Sequence, residues 1–374
     1  MSVPPAALAD RLGRAAAATA DAGLAALLVT PGADLRYLIG VPAESHERLT
    51  CLVLRAAGDP VLVVPRLEKP GYAHAGLDAL GIGMADWVDG EDPYELVSGL
   101  LGGPSLTDAA VGLADAMPAA HVLRLRHAAP GAEQRLAGPV LRELRMRKDA
   151  AEVDALRKAG AAIDRVHARM AEFARPGRTE AEVGADISAA IVEEGHTGAA
   201  FVIVGSGPNG ASPHHELSDR VIEAGDVVVV DIGGPVAEGY YSDCTRTYCV
   251  GGEPDAEIAG TYAVLHEAQR AAVAAVRPGV TAEEVDATAR RVIADAGYGE
   301  YFVHRTGHGI GLEVHEEPYI VAGNDLVLEP GMAFSVEPGI YLPGRWGARI
   351  EDIVVVTGDG CEALNTRPHE LVSL

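Results

Sequence analysis

The chain has 374 residues, enough for one large domain or two ordinary ones with a sizeable core. With 48% hydrophobic and 22% charged residues it reads as a globular protein, which excludes the disordered and fibrous classes. The formal charge of -24 disfavours non-specific binding to nucleic acid or to an anionic membrane surface. No apolar run reaches roughly 18 residues, and the N-terminus lacks the basic-then-apolar pattern of a secretory signal, so a soluble cytoplasmic protein is expected. Cys51, Cys244, Cys249 and Cys361 form no C-x-x-C pair, and reduced, mostly buried thiols are expected.

In chain order, "AALADRLGRAAAATADAG" predicts a helix ending at Gly23, and "AALLVT" a strand. "LTCLVLRAAGDPVLVVPRL" predicts a hairpin turning at Gly58-Asp59-Pro60, and "AAVGLAD" a further strand. Residues 1–140 therefore read as a smaller mixed α/β N-terminal domain. "LRELRMRKDAAEVDALRKAGAAIDRVHARMAEFARPG" then predicts one long charged amphipathic helix, closed by Pro176 and Gly177, and its start marks a second domain over residues 141–374. Thr179 with Glu182, and Thr281 with Glu284, are capping-box starts for two further helices. Helix pairs followed twice by strand-rich sequence suggest an internally repeated architecture.

The acidic residues in the strand-rich blocks carry the chemistry. In "GDVVVVDIGGPVAEGYYSDCTRTYCV" a run of valines ends in Asp231, and Asp243 lies on a second strand-like stretch. The two are equidistant from Ala237 (237 − 231 = 243 − 237), so a hairpin centred there sets them opposite each other. "MAFSVEPGIYLPGRWGARIEDIVVVT" repeats the pattern around Pro343-Gly344, with Glu337 and Glu351 equidistant from Gly344 (344 − 337 = 351 − 344). One such residue would ordinarily be a solvated or salt-bridged side chain. Two centred pairs on apolar strands need something positive between them, because an unpaired buried carboxylate is expensive. Four carboxylates with an imidazole make a hard donor set that suits two divalent ions about 3.5–4 Å apart, with manganese, cobalt or iron as plausible as zinc. The chemistry implied is hydrolysis by a metal-activated water.

The imidazole assigned to the metals is His308, flanked by Gly307 and Gly309, which permit a close backbone approach. Positions 308 and 315 differ by an odd number and would face opposite sides of a regular strand. They converge only if the chain bends, which Gly309 and Gly311 would permit; His315 could then face the substrate, the alternative being a purely structural histidine. "GSGPNGASPHHE" places His214 and His215 in a loop of functional composition, and either could reach the cleft.

Asp231 in "VVVDIGG", Asp243 in "YYSDCTRT", His308 in "GHGIGLEVHE", Glu337 in "VEPGIY" and Glu351 in "ARIED" resemble, in order and setting, the metal-binding residues of the proline-specific metallopeptidases, prolidase and aminopeptidase P. The resemblance covers roughly residues 145–374, and the first 140 residues are similar in texture and length to the family's N-terminal domain. It implies a pita-bread catalytic domain with a curved antiparallel sheet. It also implies a dinuclear site in which Asp231 and Glu351 bridge or chelate both ions, Asp243 binds one, and His308 and Glu337 bind the other, with Glu337 assisting proton transfer. His214 matches the histidine near the scissile bond, and His315 the one that contacts substrate and steadies the tetrahedral intermediate. His304 and Arg349 match positions lining the pocket around the proline and the substrate carboxylate.

Hydrolysis of X-Pro bonds by an Xaa-Pro dipeptidase with two divalent ions, Mn2+ first and Co2+, Zn2+ or Fe2+ as alternatives, is the expectation. The substrate would be a proline-containing di- or oligopeptide, and the assembly a homodimer with no nucleic-acid or membrane partner. An Xaa-Pro aminopeptidase acting on longer peptides is the first alternative. A non-peptidase hydrolase or lyase, or a non-catalytic binding protein on the same fold, is the second. Metal-free relatives such as creatinase replace the carboxylate ligands, whereas all five ligands are present here.

Overall fold

The computed structural model describes residues 3–73, 75–103 and 109–374, and the chain divides into two compact units, Met1–Arg145 and Met146–Leu374. The first unit holds a six-stranded mixed sheet built from β1 (Leu24–Val29), β2 (Cys51–Arg55), β3 (Val61–Pro65), β4 (Gly83–Trp87), β5 (Ala110–Leu113) and β6 (Glu133–Leu136), in the order β4-β3-β2-β1-β5-β6. The pairs β1/β2 and β2/β3 are antiparallel and the others parallel; β2 and β3 are joined by the tight turn read from Gly58-Asp59-Pro60. The helices are α1 (Pro5–Asp21), α2 (Ala33–Ile39), α3 (Lys69–Tyr72), α4 (Pro93–Leu101), α5 (Ala119–Ala128) and α6 (Gly138–Met146).

The single long helix expected from residue 141 onwards is instead three: α6, α7 (Ala150–Ala168) and α8 (Met170–Phe173). Asp149 accepts from Glu152 N while the Glu152 carboxylate accepts from Asp149 N, a capping box that starts a new helix in the middle of the amphipathic pattern. The two residues before it are held extended, Arg147 bridging Met332 and Lys148 N donating to Gly331 O at 2.8 Å.

The second unit has helices α7, α8, α9 (Glu180–Glu193), α10 (Ala256–Ala275) and α11 (Ala282–Asp295). One sheet has the order β17-β9-β8-β7, from β7 (Phe201–Ser206), β8 (Asp226–Pro235), β9 (Tyr241–Val250) and β17 (Val372–Ser373). A second, β11-β10-β12-β15-β16, uses β10 (Gly307–Gly309), β11 (Glu316–Ile320), β12 (Ala333–Val336), β15 (Asp352–Val356) and β16 (Cys361–Ala363). A separate ribbon pairs β13 (Gly339–Leu342) with β14 (Trp346–Arg349). Apart from the short parallel contact of β17 with β9, all of these pairings are antiparallel.

The repeat suggested by the sequence is visible in the hydrogen bonds. Thr179, in the first capping box, bridges Val221, and Thr281, in the second, bridges Val327. Gly177 N donates to Ile222 O at 2.9 Å, and Gly279 N to Leu328 O at 3.0 Å.

Strand alternation then sorts the side chains. On β8 and β9, Val228, Val230, Ile232, Cys244, Tyr248 and Val250 join the core formed with Ile163, Val183 and Ile187 of the helices. Asp231 and Asp243 occupy the opposite parity and share the other face. In the second half Phe334, Val336 and Val354 pack with Leu265, Val285 and Ile293, and Glu337 and Glu351 again have the opposite parity. The apolar faces bury the helices, at about 1.5–3 kcal/mol per large side chain, and force the acids onto the other side.

The register of the first hairpin differs from expectation. Asp231 pairs with Thr245 and Asp243 with Gly233, because the turn is centred on Glu238 (238 − 231 = 245 − 238) and closed by Val236 N donating to Tyr240 O at 3.0 Å, with Gly239 at φ 94°. The aspartates are therefore diagonal neighbours. Moving the centre by one position moves the partner by two, so the shared face survives. The second hairpin keeps its expected centre, since Gly339 pairs with Arg349, Val336 with Asp352, and Gly344 has φ 72°. It is interrupted at Glu337-Pro338, where proline cannot donate to the ladder, so its two halves lie in different sheets.

Thr281→Ala should lower the unfolding free energy by about 1 kcal/mol in chemical denaturation, with Thr281→Ser close to native. An unchanged transition in the alanine variant would show that the capping box does not stabilise α11.

Candidate metal centre

A cavity of about 1040 Å³ in the second unit is lined by all nine residues singled out from the sequence: Asp231, Asp243, His308, Glu337, Glu351, His214, His304, His315 and Arg349. Donor atoms of Asp243, His308 and Glu351 lie within 4.8 Å of one another, all three residues buried. His308 Nε2 is 3.2 Å from Glu337 Oε1 and 3.6 Å from Asp243 Oδ2.

Four of the five side chains are aimed by a neighbour. His308 Nδ1 is 3.1 Å from Gly309 O, which can only accept, so the proton sits on Nδ1 and Nε2 presents its lone pair to the cluster. Ser335 Oγ accepts from His308 N at 3.0 Å and donates to Glu337 Oε1 at 3.0 Å. Thr245 Oγ1 donates to Glu351 Oε2 at 2.7 Å and accepts from Arg349 Nε at 3.0 Å. Arg349 Nη2 donates to Asp231 Oδ2 at 2.6 Å. The other oxygens of these two carboxylates, Asp231 Oδ1 and Glu351 Oε1, are buried with no hydrogen-bond partner among the described residues. An orphaned buried acceptor costs about 1–3 kcal/mol, more when charged, and a cation in the cluster would satisfy both.

Electrostatics points the same way. Burial, reinforced by Glu351, Asp231 and Glu337, holds the Asp243 carboxyl well above the usual carboxylate range. Burial, with Glu337 and Asp231, does the same to Glu351. Burial pushes Glu337 up to about 7, against the pull of Arg349. His308 is held down to about 3 by burial and by the neighbouring His315, so its imidazole is neutral and free to ligate. These carboxylates cannot all be ionised together unless positive charge enters among them, and hard oxygen donors with one neutral imidazole fit divalent cations.

His308 and His315 converge, their ring centroids 4.2 Å apart and tilted by 71°. The β10/β11 register slips between His308 and Gly309, which supplies the bend that odd spacing demanded. A Cβ on Gly309 would strike the backbone at Glu317 O, which excludes a larger residue, and one on Gly311 would lie 2.5 Å from the Glu316 carboxylate and displace it. Of the histidine pair in the 207–220 loop, His215 Nε2 bonds the buried Glu180 Oε2 at 2.7 Å, while His214 is exposed at the cavity wall. His304 Nδ1 donates to Arg305 O at 2.7 Å, leaving Nε2 to accept from Tyr341 OH at 2.8 Å, and burial with Arg349 nearby holds its pKa down to about 4.

Sequence reasoning missed several supporting residues, Ser335 among them although it shares the parity of Glu337. Thr245 shares the parity of Asp243, and Tyr341 that of Glu337, so alternation alone could have nominated them. Lys148, whose Nζ holds Glu316 Oε1 at 2.6 Å in a buried pair beside His315, and Glu180 come from distant segments and carried no local signal.

Glu337→Gln isolates one carboxyl. Below about pH 4.5 both folded and unfolded chains hold its proton; between there and about pH 7 the unfolded chain ionises first, and native stability falls as pH rises. In chelator-treated protein the variant should therefore be more stable than native at about pH 8 and nearly equal to it at about pH 4. A stability difference that does not change with pH would contradict the crowded-carboxylate account.

The model of the metallopeptidase family M24 matches residues 154–358, and that of the creatinase/prolidase N-terminal domain matches residues 11–147. A probable dipeptidase PepE of Mycobacterium bovis is 65% identical over 364 residues, covering 97% of this chain and 96% of that protein. An Xaa-Pro dipeptidase of Lactobacillus helveticus is 38% identical over 343 residues, covering 90% of this chain and 91% of its own. The crystal structure of dipeptidase PepE from Mycobacterium ulcerans superposes with a TM-score of 0.95 at 63% identity, over 100% of this chain and 99% of that one. With both units matched and the carboxylate-imidazole cluster in place, the expected pita-bread fold holds, and the chain is a peptidase that belongs to metallopeptidase family M24.

Proposed function

We propose that the protein is a cytoplasmic, dinuclear metal-dependent Xaa-Pro dipeptidase, acting as a homodimer on proline dipeptides with Mn2+ as the first-choice metal. The observation that carries this reading is the pair of orphaned carboxylate oxygens, Asp231 Oδ1 and Glu351 Oε1, in a cluster that also presents the free Nε2 of His308. Asp231 and Glu351 would help to hold both ions, Asp243 one of them, and His308 with Glu337 the other. Co2+, Zn2+ and Fe2+ suit the same donors. When bound, the ions supply a water of lowered pKa and polarise the scissile carbonyl.

The chain's own residues supply the rest. Arg349 fixes Asp231 and is itself held by donating to Tyr341 OH at 2.7 Å and Pro213 O at 3.3 Å, which ties the acid to the wall carrying His214. Ser335 holds Glu337 by donating to Oε1, and the Glu337 carboxylate would take the water proton and return it to the leaving proline nitrogen. His214 and His315 donate hydrogen bonds that strengthen as negative charge develops on the carbonyl oxygen. The X-Pro bond is a tertiary amide without N–H, and Phe201, Leu217 and Val314, which line the same cavity, would offer its ring apolar contacts.

Ala-Pro should be hydrolysed and Ala-Pro-Pro should not; cleavage confined to the longer peptide would make the protein an aminopeptidase, and cleavage of neither would refute the proline reading. Asp243→Ala should abolish a metal site and activity together. His315→Ala should lower kcat about 10²–10⁴-fold with Mn2+ content near native, and parallel loss of metal would instead place His315 among the ligands.

A further inference from the structure

The two halves of the second unit each bring part of the cluster, Asp231 and Asp243 from one and Glu337 and Glu351 from the other, and something must hold them in register. We infer that Arg246 is the positioning residue that does so, an inference resting on the metal-centre reading above. Its side chain is 3% exposed. It lies on β9, three residues beyond Asp243 and next to Thr245, on the face turned away from the cavity. Nη1 donates to Glu351 O at 2.6 Å and to Thr245 O at 2.9 Å, so one nitrogen spans the two halves at the ligand itself. Thr245 O also accepts from Glu351 N at 3.1 Å, and Thr245 Oγ1 holds the Glu351 carboxylate from the other side. Nη2 donates to Asp352 Oδ1 at 2.7 Å and to Arg367 O at 2.8 Å, and Nε to Pro368 O at 3.1 Å. Asp352 is steadied in turn by Gln269 Nε2 at 3.1 Å and His369 Nε2 at 2.6 Å.

Every nitrogen of the guanidinium is thus used, and four of the five oxygen acceptors are backbone carbonyls, of Thr245, Glu351, Arg367 and Pro368, so the side chain ties Glu351 to β9 and to the C-terminal segment. Only a planar fork of five N–H donors reaches this set; a lysine ammonium offers three donors from one point. Arg246 touches neither substrate nor metal, so its effect must pass through the placement of Glu351 relative to Asp243. Supporting residues of this kind typically alter metal affinity about 10- to 100-fold.

The test is titration of chelator-stripped full-length protein with Mn2+, for native, Arg246→Lys and Asp352→Asn, alongside thermal unfolding of each with and without Mn2+. Arg246→Lys should bind Mn2+ about 10- to 100-fold more weakly and show a smaller metal-induced rise in Tm, a difference that loss of general stability alone would not produce. Asp352→Asn, which leaves the bonds to Glu351 O and Thr245 O in place, should weaken binding less, by several-fold, and decides the matter if the lysine variant does not fold. Native-like affinity in either folded variant would overturn the inference alone. Failure of the native protein to bind Mn2+ would overturn the metal-centre reading and the inference with it.

Discussion

Mutual repulsion among four carboxylates, three of them buried and Glu337 nearly so, is the constraint on which the rest of the second unit depends. Asp231, Asp243, Glu337 and Glu351 meet in one cavity, and burial together with their neighbours drives three of them toward the protonated form. The only guanidinium aimed among them by a described hydrogen bond is Arg349, which satisfies a single oxygen of Asp231. A fold that assembles such a cluster is destabilised by it unless cations enter, so the metal preference and the catalytic capacity come from the same arrangement.

The scaffold tolerates the cluster by giving the four acids one strand parity and most of the helix-packing apolar side chains the other. Alternation on β8, β9, β12 and β15 sends valines, isoleucines and phenylalanine toward the helix pairs and leaves the acids on the shared inner side. The near-repetition of the two halves, with their matching threonine caps and bridges, brings two hairpins to one centre from two directions. Arg246, Thr245 and Ser335 then set individual oxygens and nitrogens within the gap.

Much of the site was legible in the sequence because it is written on hairpins, whose geometry is local. Equal spacing about a turn proposed both carboxylate pairs. It was right about Gly344 and one residue off at Ala237, an error that parity rendered harmless, since a two-residue slip in partner returns a side chain to its own face. The odd spacing of His308 and His315 demanded a bend, and the register slip at Gly309 provides it. What could not be read were interactions between distant segments: Lys148 with Glu316, Glu180 with His215, and the carbonyls gathered by Arg246. The broken helix at Asp149 was readable in principle, because D-x-x-E is a capping signal, but the amphipathic pattern on both sides concealed it.

The central claim is that two divalent ions neutralise this cluster and that hydrolysis requires them. Elemental analysis of the full-length protein during stepwise Mn2+ addition to the chelated form, with Ala-Pro turnover followed at each step, tests it most directly. The account predicts binding of about two ions per chain and turnover that reaches its maximum only when both are bound. Undiminished Ala-Pro hydrolysis by protein stripped of metal, or saturation of activity with no metal retained, would contradict it.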